Sequence, residues 1–158
     1  MKRTVALAIL AMVVLTAGMA SAAMKGSADV VKAAAASQTL TAAVGERVAF
    51  AIKLDVSKTW HVYAHGDTNF IGVDLVPAED LPLTDLQAEY PTGHPGEFFG
   101  ETVYMISGHE QIEVSGLVPA DLAKGEHALE FGVTVQACDD KTCLAPVDLP
   151  VAIKLLVK

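Results

Sequence analysis

The sequence predicts an all-β domain with the two-sheet sandwich architecture of immunoglobulin-like proteins. Apolar and polar residues alternate over several short segments, which is the pattern of half-buried strands. Short segments with glycine or proline separate these strands and are typical of turns. Seven or more short strands joined by regular turns favour a sandwich over other all-β folds.

The chain begins with the features of a secretory signal peptide. Lys2 and Arg3 form a basic start, residues 5–19 are almost wholly apolar, and Ala20-Ser21-Ala22 supplies small residues for cleavage. The apolar segment has about 15 residues, fewer than the roughly 20 needed to cross a bilayer. We therefore predict cleavage near Ala22 and export to the periplasm, with an uncleaved N-terminal anchor as the alternative.

Charge and hydropathy exclude some partners of the exported domain. Removal of Lys2 and Arg3 changes the formal net charge from −8 to −10. Nucleic acids and anionic membrane surfaces attract positively charged proteins, so neither is expected as a partner. No later apolar segment approaches membrane-spanning length, so we expect no stable membrane insertion after cleavage.

The pattern divides the exported chain into a leader and one domain. Residues 23–37 are rich in Ala, Ser, Gly and Lys, and we predict a flexible leader there, with a helix over 30–36 as the alternative. Alternation begins at Gln38, so we place the domain at residues 38–158.

Seven segments of the domain have strand character. Pro150 interrupts the last of them, so its first half should be a sheet edge or a bulge. Residues 118–122 should form a single helical turn, and residues 93–100, with their glycines and proline, an irregular loop. The predicted strands are 48–56, 60–64, 71–75, 103–106, 111–114, 129–135 and 147–157.

Cys138 and Cys143 are the only cysteines, so they have a single possible pairing. Four polar residues join them, an ordinary length for a hairpin loop. Residues facing each other across a hairpin have Cα atoms about 4.5–5.5 Å apart. A disulfide accepts that distance, so the pair could open and close without rebuilding the sheet.

Two interpretations of this disulfide stay open on these grounds: it is either a redox-active pair or a purely structural bond. A bridge that closes about six residues stabilises the fold by only roughly 2 kcal/mol. Cys138 shares its strand face with Thr134 and Gln136 rather than with Val133 and Val135, so we expect it to point away from the core, where a partner could reach it. The neighbouring residues 139–140 are interpreted as a solvated turn.

Three segments of the sequence carry a family resemblance. The hairpin segments 136–138 and 143–146, Gln-Ala-Cys and Cys-Leu-Ala-Pro, resemble the active-site hairpin of the N-terminal periplasmic domain of the thiol:disulfide interchange protein DsbD. Trp60-His61-Val62-Tyr63 resembles that family's aromatic strand, and Glu97-Phe98-Phe99-Gly100 resembles its cap loop. The resemblance covers about residues 38–158.

The resemblance implies an immunoglobulin-like fold and a thiol:disulfide oxidoreductase that shuttles electrons. A membrane-linked thiol donor would supply the electrons, and periplasmic disulfide proteins would receive them. Cys143 would form mixed disulfides, and Cys138 would resolve them. The ring of Phe98 would cap the disulfide, and four further residues would line the site: Glu97, Phe99, Tyr63 and His61.

This sequence departs from the family pattern at several positions. Gly96 stands where well-known members have an acidic residue, and Ala145 replaces the first proline of a frequent Pro-Pro. The cysteine spacing is one residue shorter than in some members. Transmembrane and thioredoxin-like parts are absent from the sequence, so the domain is expected to work free-standing with a separate donor.

Two further functions remain alternatives to the shuttle. One is a non-catalytic binding module whose disulfide only fastens a hairpin, which should have a reduction potential below about −300 mV. The other is a periplasmic metal carrier, which the five histidines suggest. His61 and His65, four residues apart, would lie about 13 Å apart on a strand, so we expect no metal site. No cofactor motif stands out, and we expect no cofactor.

Overall fold

A computed structural model describes residues 25–66, 70–98 and 100–158, so the predicted signal peptide lies outside the described part. These residues form one short 3-10 helix, Ser27–Asp29, and eleven strands. The strands are β1 (Val31–Ala35), β2 (Thr39–Ala42), β3 (Arg47–Val56), β4 (Val62–Tyr63), β5 (Asp74–Pro77), β6 (Thr84–Glu89), β7 (His94–Phe98), β8 (Glu101–Ile106), β9 (Gly108–Leu117), β10 (Gly125–Val135) and β11 (Val147–Val157).

Two four-stranded sheets form the immunoglobulin-like sandwich that the sequence predicts. One has the order β1-β3-β9-β6, and the other has the order β2-β11-β10-β5. Neighbouring strands are antiparallel except for β2, which runs parallel to β11. Alternate residues of β3 and β10 are buried, as the period of two requires, and the rings of Phe50 and Phe131 meet in the core with centroids 5.6 Å apart.

A third, smaller sheet has the order β4-β8-β7 and makes a separate apolar cluster. Tyr63 and Val103 are buried in this cluster together with Cys138, and Phe70 and Met105 pack against it. The small sheet therefore covers the end of the sandwich at which the cysteine hairpin lies.

The prediction of a flexible leader over 23–37 is wrong for most of that segment. β1 pairs antiparallel with β3 from Val31 opposite Val56 to Ala35 opposite Ile52. Val31 is fully buried. An alanine-rich segment has no clear period of its own, and the open edge of β3 decides that it becomes a strand.

Other local differences have similar causes. β2 and β6 were not predicted, and the segment predicted as an irregular loop contains β7, which pairs with β8 despite Pro95. Residues 118–122 form a turn with a hydrogen bond from the Leu122 N–H to the Pro119 carbonyl, not a helical turn.

The prediction for Pro150 is confirmed, because β11 has β10 on one side there and pairs with β2 only from Lys154 onward. In the described ranges, no helix is long and apolar enough to span a membrane.

Candidate active site

Cys138 and Cys143 form a disulfide across a hairpin, with Cα atoms 4.0 Å apart. The Asp139 N–H donates to the Thr142 carbonyl at 2.9 Å, and the Leu144 N–H donates to the Ala137 carbonyl at 2.8 Å. These two bonds flank the cysteines, which are therefore a non-hydrogen-bonded pair of an antiparallel ladder. That type of pair brings opposite side chains closest, which is why a disulfide fits here.

His61 holds the backbone of Cys138 from the other side. The His61 N–H donates to the Cys138 carbonyl, and the Cys138 N–H donates to the His61 carbonyl, both at 2.9 Å. Cys138 thus lies in the middle of a short ladder between His61 and Cys143. Its backbone position is fixed by hydrogen bonds that do not depend on the disulfide.

The two cysteines differ sharply in exposure. Cys138 is only 1% exposed, whereas Cys143 is exposed. The prediction that Cys138 points away from the main core holds, because its neighbour Ala137 occupies that core. The prediction that Cys138 is accessible is wrong, because Tyr63 and Val103 of the small sheet cover it. Strand phase identifies the face of a residue but not what packs against that face.

An irregularity lies between the cysteine pair and the regular part of the hairpin. The register of β10 with β11 is unbroken as far as Val135 opposite Val147. From that pair to the cysteines, one leg contains residues 136–137 and the other contains residues 144–146. The second leg has one residue more, which makes this segment a β-bulge.

Side chains satisfy backbone groups that the bulge leaves without ladder partners. The Ser27 hydroxyl accepts a hydrogen bond from the Ala137 N–H at 3.0 Å and donates to the Ala145 carbonyl at 2.6 Å. The side-chain amide of Gln136 donates to the Leu144 carbonyl at 3.1 Å. Ser27 is 1% exposed. Ser27 was not among the predicted site residues, because no local sequence pattern links a serine near the start of the chain to a distant hairpin.

Tyr63 is fully buried and packs in the same small cluster as Cys138. Its ring stacks on Phe70, with centroids 4.1 Å apart, and the ring of His61 meets it edge-on at 5.4 Å. Phe70, which the sequence analysis did not single out, is thus part of the aromatic cover. Trp60, half-buried against the main core, carries the Lys25 ammonium 5.0 Å from its ring centroid.

Partial burial of His61 lowers the pKa of its imidazole below the ordinary value, because the charged ring loses water. Asp140 opposes this shift, His94 adds to it, and Asp139 opposes it more weakly. The pKa of Asp139 is lowered because its carboxylate accepts hydrogen bonds from the backbone N–H groups of Lys141 and Thr142, each at 2.8 Å. This arrangement is an ordinary Asx turn, which agrees with the interpretation as a solvated turn.

The predicted cap residues are only partly described. Phe98 is the last residue of β7 and pairs with Glu101, which precedes Val103 by two positions on β8. The side chain of Phe98 and the whole of Phe99 lie outside the described part. Glu97 is exposed and lies opposite Thr102, so the register does not place it with Val103 on the face toward Cys138.

Met105 occupies the space at the position where this sequence departs from the family. A Cβ atom built on Gly96 would lie 2.0 Å from the terminal methyl group of Met105. Met105 also packs in the cluster that contains Cys138. A side chain at position 96 would therefore require the flexible end of the Met105 side chain to move.

Metal-ligand residues are dispersed in the described part of the chain. Within residues 25–66, 70–98 and 100–158, no group of three or more His, Cys, Asp or Glu side chains could hold a metal ion.

Comparisons with known proteins point to one family. A family model described as "Thiol:disulfide interchange protein DsbD, N-terminal" matches residues 27–153. The fold is similar to the crystal structure of the N-terminal periplasmic domain of ScsB from Proteus mirabilis, with a TM-score of 0.53 and 12% identity. That match covers 76% of this chain and 44% of the ScsB chain, so this chain spans less than half of its length.

A second structural match is weaker. It is a family 123 glycoside hydrolase from Clostridium perfringens, with a TM-score of 0.42, 9% identity, and coverage of 82% of this chain and 27% of that chain. A similarity at that level supports no argument. No curated protein matches the chain.

Proposed function

Because the chain belongs to the family of the DsbD N-terminal domain, we propose that it is a periplasmic thiol:disulfide exchange protein that shuttles electrons through Cys138 and Cys143. Membership of the family makes it a domain related to thiol:disulfide interchange. The shuttle role, its direction toward periplasmic disulfide proteins and the membrane-linked thiol donor are the proposal. Export by a signal peptide cleaved near Ala22 belongs to the same proposal.

The difference in exposure between the two sulfurs is the observation that carries the proposal. Exchange requires a thiolate to approach one sulfur of a disulfide in line with the bond. Cys143 is exposed and can be approached, whereas Cys138 is buried beneath Tyr63 and Val103. Attack is therefore directed to one sulfur, which is the property that separates a nucleophilic cysteine from a resolving one.

The reaction follows from this asymmetry. In the reduced protein, the Cys143 thiolate attacks a partner disulfide, forms a mixed disulfide and releases one partner sulfur as a thiolate. The Cys138 thiolate then attacks Cys143, closes the intramolecular disulfide and releases the second partner sulfur. The pair loses two electrons and two protons, and the partner gains both. Reduction by the donor runs through the same steps in reverse, beginning at Cys143.

The surrounding residues have supporting roles in this proposal. The backbone ladder with His61 keeps Cys138 within reach of Cys143 while the mixed disulfide exists. Tyr63 shields Cys138 from other thiols. Phe98, Glu97 and Phe99 would complete the cover until a partner docks, as the family resemblance implies.

The test uses single-cysteine variants and glutathione disulfide as the probe. Reduced Cys138→Ala should form a mixed disulfide with glutathione that persists, because no resolving thiol remains. Cys143→Ala should form the adduct at least roughly tenfold more slowly, since its remaining thiol is buried. Mass spectrometry of alkylated samples measures both adducts, and Cys138→Ala should likewise trap periplasmic partners. Faster adduct formation by Cys143→Ala would reverse the two roles.

A further inference from the structure

We propose that Ser27 is a positioning residue for the cysteine pair, because its hydroxyl holds the β-bulge that brings Cys138 opposite Cys143. The inference deepens the proposed function and rests on it in one respect, that the pair opens and closes while the domain stays folded. Ser27 lies far from the cysteines in sequence and touches neither sulfur in its hydrogen bonds, so it acts through the hairpin backbone.

The register shows why the bulge matters. If the pairing of Val135 with Val147 continued without interruption, Cys138 would lie opposite Leu144 instead of Cys143. Because side chains alternate between the two faces of a strand, Cys143 would then lie on the other face of the hairpin. The extra residue in the segment 144–146 shifts the pairing by one and places the two cysteines opposite each other on one face.

The bulge has a cost, which Ser27 offsets. A bulge interrupts the ladder, so some backbone groups lose their partners, and buried groups cannot use water instead. Ala137 is fully buried, and its N–H donates to the Ser27 hydroxyl. The same hydroxyl donates to the Ala145 carbonyl on the opposite leg. One side chain therefore fastens both legs of the hairpin at the bulge.

This fastening matters most in the reduced protein. The disulfide imposes the register covalently when it is closed, but only non-covalent contacts impose it when the bond is open. Without the Ser27 hydroxyl, the Ala137 N–H would be buried without a partner, and slippage to the uninterrupted register would become easier. The thiols would then face each other for a smaller fraction of time, which lowers their effective concentration and favours the reduced form.

The experiment measures the equilibrium of each folded variant with glutathione. Two thiols of the protein and one glutathione disulfide exchange for one protein disulfide and two glutathione thiols. Ser27→Ala should lower this equilibrium constant roughly three- to tenfold, the range expected for one or two lost hydrogen bonds. That change corresponds to a reduction potential about 15–30 mV higher. Gln136→Ala should change it in the same direction, and Ser27→Thr, which keeps the hydroxyl, should restore it.

Two control variants separate positioning from a general loss of stability. Thr134→Val removes a 2.6 Å hydrogen bond to Asp148 between the same two strands, outside the bulge. Val118→Ala removes buried apolar atoms beside the start of β3, remote from the hairpin. Both variants should leave the equilibrium constant within about twofold of the wild-type value. This holds even if Val118→Ala lowers the free energy of unfolding as much as Ser27→Ala does.

The outcomes are distinguishable from those that test the shuttle itself. Dithiothreitol, a stronger reductant, allows the same equilibrium to be measured when the wild-type disulfide is too stable for a shuttle. In that case the proposed function fails, but the effect of Ser27→Ala on the equilibrium constant can still be measured. If Ser27→Ala does not lower the constant, or if Val118→Ala lowers it equally, Ser27 does not position the pair.

Discussion

Reduction of the disulfide should leave the domain folded and cost only a small part of its stability. The cysteines are five positions apart in sequence, so the bond closes a very short loop. The chain-entropy model gives about 2 kcal/mol for a loop of roughly six residues. Typical domains unfold with about 5–15 kcal/mol, so the reduced form should remain folded. The ladder between His61 and Cys138 and the cluster around Tyr63 stay in place without the bond.

The same magnitude has a redox consequence through a thermodynamic cycle. If the disulfide stabilises the folded state by about 2 kcal/mol, folding favours disulfide formation by a factor of about 30. For a two-electron couple this factor lowers the reduction potential by about 40 mV relative to the unfolded chain. A moderate shift of this size agrees with the proposed exchange of electrons, whereas a structural bond would be held far more strongly.

Urea denaturation of the oxidised and reduced protein measures the difference directly. Trp60 is the only tryptophan, and its half-buried ring against the main core provides a fluorescence signal. We expect the midpoint to fall by roughly 1 M urea on reduction, with little change in slope. Cys138→Ala combined with Cys143→Ala is the control, because its unfolding should not respond to reductant. A reduced protein that is unfolded without urea, or that loses more than about 5 kcal/mol, would refute the reasoning and identify a structural staple.

Two further predictions concern the cover of the site. Phe98→Ala should accelerate reduction of the disulfide by dithiothreitol. It should not lose the roughly 3–5 kcal/mol of unfolding free energy that is expected for the core control Phe131→Ala. A large loss of stability with unchanged reactivity would make Phe98 a core residue. Because the pKa of His61 is lowered in the folded state, the unfolded chain binds this proton more readily, and stability should fall as the pH drops from about 6.5 through the folded pKa. His61→Gln should flatten that part of a pH–stability profile measured by urea unfolding, and an unchanged profile in this variant would contradict the assignment.

The sequence predicted most of the sandwich because its long strands are amphipathic. β3, β10 and β11 each bury alternate residues against one core, and that period is visible without any partner strand. β1, β2 and β7 were missed because their sequences carry no such period. They are strands because β3, β11 and β8 offer them an edge to pair with.

The cysteine hairpin was predictable for a similar reason, since it depends on local spacing. Two cysteines separated by four polar residues at the end of a strand determine a cross-strand pair. Tyr63 packs with Cys138 and His61 pairs with its backbone, whereas the role of each cysteine stays a prediction from the family resemblance. The side chain of Phe98 and the whole of Phe99 lie outside the described residues, so their cap role stays a prediction.

Local sequence patterns are therefore sufficient to predict the fold class, the pairing of the two cysteines and the face of the strand on which Cys138 lies. Tertiary packing, in contrast, determines that Cys138 is buried and Cys143 exposed, because burial depends on the small sheet formed by distant segments. It also decided the register of the hairpin, since Ser27 and Ala137 are brought together across 110 positions of sequence. Alternation along a strand is a local property, whereas the cover of a face and the partner of an unpaired backbone group depend on how the whole chain packs.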